Sequence, residues 1–136
     1  MRAKRIRKTL KNEMGQSLVE FALVVPMLLL LVIGIAEFGR AWMTQNILTG
    51  AAREAVRLLA VPAPAGGPTV ASARAVEVLR SAGITADNLV VLDNVAYQPV
   101  SVTIDYNFPV AIAGFIPGLN NATVPLTSTT TMRREY

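Results

Sequence analysis

The chain has 136 residues, no cysteine and no histidine, and a formal net charge of +4. Without thiolate or imidazole there is no disulfide staple, no Cys/His zinc site and no Ser-His-Asp or Cys-His catalysis. The positive charge is local: residues 1–15 hold Arg2, Lys4, Arg5, Arg7, Lys8 and Lys11 against Glu13, a net of +5, while residues 16–136 hold seven basic and eight acidic side chains. A nucleic-acid surface needs cations spread over a folded face, so that class is excluded.

Hydrophobic residues make up 52% of the chain and the mean hydropathy is +0.43, high for a soluble protein and natural for one with a single membrane span. Once a leader and a span are set aside, about one hundred residues remain, enough for one small domain with a modest core.

Residues 1–15 read as a basic cytoplasmic leader. From Phe21 to Ala36 no residue is polar, and Glu20 and Glu37 bracket the run. Residues 18–38 number 21. At ~1.5 Å per residue they span roughly 30 Å, the thickness of a bilayer's hydrocarbon core. Six cations precede the span, and only Arg40, Arg53 and Arg57 follow at comparable range. That asymmetry puts the N-terminus in the cytoplasm and the bulk of the chain outside. Pro26 lacks an N–H and crowds the carbonyl of Ala22, so a kink or local loosening is expected there. Gly34 and Gly39 suit either flexibility or close approach of a second helix.

No break signal ends the helix at the membrane surface. Trp42, Leu48, Ala52, Ala55, Val56 and Leu59 recur near a helical period, with Arg53, Glu54 and Arg57 off the stripe. One helix is expected from about Gln16 to Ala60, membrane-spanning in its first half and amphipathic in its second. Glu37 and Trp42 mark the membrane interface, although Trp42 fits a core position equally well. Residues 61–69, with three prolines and two glycines, read as a loop. Thr69 can cap a second helix over 70–82 that puts Val76 and Leu79 in the core, and Gly83 stands where a left-handed C-terminal cap belongs.

Beyond Gly83 the period changes to two. Val102, Ile104, Tyr106 and Phe108 alternate with Ser101, Thr103, Asp105 and Asn107, the signature of a half-buried strand. Residues 89–95 form a partner strand, joined through Gln98 and Pro99, and Thr-rich 126–132 form a third. Residues 109–123 read as a loop. Its apolar part, within 110–116, either packs on the sheet or offers a contact surface. Asp87, Asp93 and Asp105 read as solvated turn residues with no partner base or metal spacing. The expected fold class is α+β: a long N-terminal helix, a short second helix and a small antiparallel sheet of about three strands, pilin-like. The expected organisation is a leader over 1–15, the long helix over 16–60 and a small extracytoplasmic head over 61–136.

Glu20 is the informative residue. An ionised carboxylate in a membrane helix costs ~2.5–3.5 kcal/mol at the centre and less near an end. Here a glycine lies five residues upstream, a basic leader precedes it and an apolar helix follows. The segment MGQSLVEFALVVPMLLLLVIGIAEFGRA, residues 14–41, resembles the N-terminus of the TadE-like pseudopilins of tight-adherence (Flp) pilus systems, relatives of type IV pilins. AAREAVRLLA at 51–60 and the VTIDY-type strand before a Pro/Gly loop and a Thr-rich end are also similar.

The resemblance implies that a prepilin peptidase cuts after Gly15, that Gln16 becomes the new N-terminus and that Glu20 is the pairing glutamate of assembly. Gln16 is polar where type IV pilins often carry Phe, so the resemblance implies cleavage without extending to N-methylation. It further implies a non-enzymatic structural or assembly subunit of a Tad-type pilus or secretion system, with no cofactor, no metal and no catalytic residue. Expected partners are the prepilin peptidase, other pilins and pseudopilins, the assembly machinery and membrane lipid. The expected location is the inner membrane, single-pass with the C-terminal domain outside, and after assembly an extracellular pilus. Two alternatives stay open. One is a single-pass anchored extracytoplasmic binding protein without pilin-type processing. The other is an exported chain cut after Gly34-Ile35-Ala36 as a signal peptide.

Overall fold

The structure, a computed structural model, describes residues 3–61, 67–93, 99–115 and 118–134; for residues 3–14 and 115 it describes the backbone alone. Its elements are α1 (Ala3–Ala60), α2 (Gly67–Ser81), β1 (Asn88–Leu92), β2 (Val100–Pro109), a 3-10 turn η1 (Ala111–Phe115) and β3 (Thr123–Met132). This is an α+β fold with one three-stranded antiparallel sheet of order β1-β2-β3. The chain divides into two compact units, Met1–Phe38 and Gly39–Tyr136.

The first unit is helical from Ala3, upstream of the expected start near Gln16. The leader is rich in Lys and Arg, which favour helix, and has no proline, so propensity favours continuing the helix through it. The helix also continues through Pro26, which leaves the carbonyl of Ala22 without its usual partner. Its apolar side chains are exposed all round, from Leu18 and Phe21 to Ile35 and Phe38. A helix apolar on every side needs an apolar surrounding.

The second unit is a two-layer head. Leu48, Ala51, Ala52, Ala55, Val56, Leu59 and Ala60 of α1 are buried in one core with Ala71, Ala75 and Leu79 of α2 and Val100, Val102 and Ile104 of β2. Alanine at four of the seven α1 positions and two of the three α2 positions lets backbones approach closely over the sheet. The buried stripe of α1 begins at Leu48; Trp42, expected on the stripe, is 62% exposed. The last turns of α1 thus belong to the head's core.

Helix α2 begins at Gly67, earlier than expected, and Thr69 lies inside it. Pro68 explains the early start, because its fixed φ suits a first turn where the missing N–H has no intrahelical partner to lose. The i, i+4 stripe is Ala71, Ala75 and Leu79, which leaves Val76 outside the core at 51% exposure. The C-terminus is capped as expected. Gly83 takes φ 73°, its N–H donates to Arg80 O at 3.0 Å, and Ile84 N–H donates to Leu79 O at 2.9 Å. Those two bonds are the Schellman pair.

Strand β1 pairs with β2 from Asn88↔Asp105 to Leu92↔Ser101, and β2 pairs with β3 from Val100↔Met132 to Pro109↔Thr123. The expected partner strand over 89–95 ends at Leu92, and its residues 94 and 95, with Gln98 of the connection, lie outside the described residues. Pro125 is tolerated in β3 because β3 is an edge strand. The expected loop over 109–123 contains η1, whose Ala113 is buried. Asn121, at φ 71°, sits in the turn closed by Ala122 N–H to Leu119 O at 3.0 Å. Asn tolerates that left-handed region better than most residues.

Candidate functional site

Gly15, Gln16 and Glu20 all lie on exposed helix in the first unit. Nothing in the fold requires glycine at 15: a Cβ there would meet no atom within 4 Å and the backbone is helical. Glycine in a helix interior costs about 0.8–1.0 kcal/mol relative to alanine. Its presence therefore lowers helix stability at that point without any packing return within the chain. Gly34 and Gly39 are equally open, which leaves their surroundings accessible to a second helix.

Gln16 and Glu20 are four residues apart, so the helical period places them on one face, one turn apart. The Glu20 side chain is exposed and forms no ion pair or hydrogen bond among the described residues. Above it the apolar run is unbroken to Ala36, and Glu37 is half-buried. Helix α1 is long and apolar enough to cross a membrane, and none of its most apolar window is buried by the rest of the chain.

In the head, several polar contacts fix α1 and the sheet that sequence reasoning did not find. Arg40 lies over the Phe108 ring, 5.0 Å from its centroid. Gln45 Nε2 donates to Thr127 O at 2.9 Å. Ser128 Oγ donates to Thr49 Oγ1 at 3.1 Å, and Thr49 Oγ1 donates to Gln45 O at 2.9 Å. Gln45 and Thr49 stand one turn apart just before and beside the apolar stripe. That spacing was the one available signal, and it does not say which strand they meet.

The aspartates are structural, not merely solvated turn residues. Asp87 Oδ2 accepts the Asn107 N–H at 2.6 Å. Asp105 accepts from Asn88 Nδ2 at 3.1 Å and from Thr127 Oγ1 at 2.8 Å, binding all three strands along one row. Asp93 pairs with Arg134 at the far end of the sheet, with side chains 19% and 12% exposed. On the helices, Arg74 bridges Glu77 at 2.9 Å and Glu54 at 3.8 Å. The hydrogen bond that Arg74 donates to Glu77, followed by the charges of Glu77 and Glu54, raises the Arg74 pKa above its ordinary value. These groups hold elements together and do not converge on a cavity. Among the described residues no three acidic side chains gather where a metal ion could sit.

Residues 15–57 match the family model described as TadE-like protein. Comparison with curated proteins and with solved structures gave no match. The matched segment starts at Gly15, takes in Glu20 and the apolar helix, and ends inside the head's buried stripe. The family that this model describes is associated with the Tad pilus and is structural rather than enzymatic. Over residues 15–57, which include most of the apolar helix, the chain is similar to TadE-like proteins.

Proposed function

We propose that the chain is a pseudopilin, a membrane-inserted structural or assembly subunit of a Tad (Flp) pilus or related secretion system. It inserts through residues 18–38 into the inner membrane, with the leader 1–15 in the cytoplasm and the head outside. A prepilin peptidase cuts between Gly15 and Gln16. Cleavage removes the +5 charge that holds the N-terminus in the cytoplasm. It also creates an α-amino group, whose ordinary pKa is about 7.7–8.0.

Glu20 of one subunit then pairs with the Gln16 amine of its neighbour. In a low dielectric each charge alone is unfavourable, and pairing relieves both while fixing the axial register of two helices. Partners are the peptidase, other pilins or pseudopilins and the assembly machinery. Glu37 and Trp42 mark the outer boundary of the span.

The observation that carries this reading is the spacing on one exposed helix: basic leader, Gly15, Glu20 one turn beyond Gln16, then a fully apolar run. Intact-mass analysis of the native protein tests the first step. A mature chain beginning at Gln16 is expected, and an N-terminus still at Met1 would refute processing. For assembly, Glu20→Ala is expected to insert normally and fail to support pilus biogenesis. Normal piliation in that variant would remove Glu20 from the mechanism.

A further inference from the structure

The two edges of the sheet are finished differently. On β3, Thr127 O accepts from Gln45, so the backbone groups of Thr127 point away from β2. In an antiparallel strand the backbone groups of alternate residues point to the same side. The outward residues of β3 are therefore the odd-numbered ones, and Pro125, which has no N–H to leave unpaired, is one of them. Gln45 and Pro125 together close that edge to further strands.

The same parity carries across to β1. Asp105 stands opposite Thr127, so its backbone groups face β1, and Asp105 O accepts the Asp87 N–H at 3.0 Å. Its register partner Asn88, with Val90 and Leu92, then bonds to β2, and Leu89 and Val91 direct N–H and C=O to the free edge. Among the described residues nothing bonds those groups. The strand, NLVVL, has neither a charge nor a proline to discourage another strand. Beside it runs a groove lined by Val76, Leu79 and Arg80 of α2, Ile84 and Ala86 of the turn, and Leu89 of β1. Arg80 is exposed, is the one cation among the lining residues, and has no ion pair among the described residues.

We propose that the β1 edge is a strand-addition site for an extended segment of another polypeptide, apolar at alternate positions and carrying a carboxylate. The backbone groups of Leu89 and Val91 bond the added strand. The side chains on one of its faces enter the groove, and its carboxylate meets the Arg80 guanidinium. Charge identifies the occupant. Every described carboxylate of the head is engaged within its own chain: Glu54 and Glu77 with Arg74, Asp87 with the Asn107 N–H, Asp93 with Arg134, and Asp105 with Asn88 and Thr127. A second copy thus offers Arg80 no free carboxylate from those residues, and its own β1 is uncharged. The site lies wholly within the head and holds whether or not residues 18–38 cross a membrane.

A displayed library of random octapeptides, selected on the full-length chain in detergent micelles, supplies the probe. Enriched peptides are expected to be apolar at every second position, with Asp or Glu among the rest. In the free chain the Leu89 and Val91 amides should exchange hydrogen fast while Val90 and Leu92 are protected; bound peptide should slow the first two. Val91→Pro removes one outward N–H and leaves the β1–β2 bonds in place, and is expected to weaken binding roughly tenfold. Arg80→Glu is expected to weaken it similarly. N-methylating the peptide at one set of alternate nitrogens should abolish binding and at the other set spare it, a readout that leaves the protein unaltered. Strand addition is overturned if nothing enriches, if Val91→Pro binds undiminished, or if both N-methylated sets bind alike. Enrichment without carboxylates, or indifference to Arg80→Glu, overturns the charge assignment. Slow exchange at 89 and 91 that grows with protein concentration in the absence of peptide identifies a second copy as the occupant and overturns a separate partner.

Discussion

Gln45 on α1 donates to the carbonyl oxygen of Thr127 on β3 at 2.9 Å, joining residues 82 apart in sequence. An edge strand presents unpaired backbone groups that invite further strands. This contact and its neighbour, Ser128 to Thr49 at 3.1 Å, tie β3 to the helix that leaves the apolar run. The head and the stem are thereby built from the same helix, with the sheet hung on its second half.

The Ser128–Thr49 bond should be measurable as an asymmetry between single and double replacement. Ser128 is 5% exposed, so Thr49→Val leaves its hydroxyl buried without its acceptor. A loss of about 1–3 kcal/mol is expected for the single change, and recovery of most of it in Thr49→Val/Ser128→Ala. Urea unfolding of the full chain in detergent would read both. Equal losses in the single and double variants would show that the bond does not matter.

Two glycines should respond with opposite signs. Gly83 holds φ 73° at the end of α2, where a side chain is strained, so Gly83→Ala should destabilise by about 1 kcal/mol. Gly50 is helical with open space around it, so Gly50→Ala should stabilise by up to ~1 kcal/mol. Parallel denaturation curves suffice, and a common sign would contradict the cap geometry.

The Asp93–Arg134 pair ties the residue after β1 to the segment after β3. Both side chains are mostly sheltered, at 19% and 12% exposure. Breaking a fully buried pair costs roughly 3–5 kcal/mol, and screening at this partly exposed one reduces the expected loss for Arg134→Met to roughly 1–3 kcal/mol. Hydrogen exchange should quicken first in β1 and the end of β3. An unchanged exchange pattern would make the pair incidental. By contrast, the Arg74 side chain is 42% exposed and its ion pairs lie at the surface, so Arg74→Ala should leave the unfolding midpoint unmoved.

Gly15 separates fold from processing. Because a side chain at 15 meets nothing within 4 Å, Gly15→Leu should leave helicity and membrane insertion unchanged. The variant should nevertheless retain its leader when co-expressed with the peptidase, a mass difference visible by electrophoresis. Efficient cleavage of Gly15→Leu would show that the glycine is not the recognition feature.

How much was legible beforehand varies by element. The apolar run, the period-two strand at 101–108 and the cap at Gly83 follow from local chemistry, and each stands in the structure where the pattern put it. The Thr69 cap did not stand, because the helix already begins at Gly67, with Pro68 in its first turn. Val76 was misplaced for a different reason: one turn of periodicity cannot distinguish a stripe built on Val76 from one built on Ala71, Ala75 and Leu79. Only the width of the gap to the sheet selects the small side chains.

By itself the sequence determined that an apolar helix follows a basic leader, that Gln16 and Glu20 share a face, and that an α+β head follows. These are consequences of covalent order, helical period and side-chain transfer energy, which need no partner to act. The tertiary structure alone decided that β3 ascends beside α1, with Gln45 meeting Thr127 and Thr49 meeting Ser128. Pairing between residues such as Gln45 and Thr127 depends on how two distant surfaces fit. That fit is a property of the packed core and has no local signature in the chain.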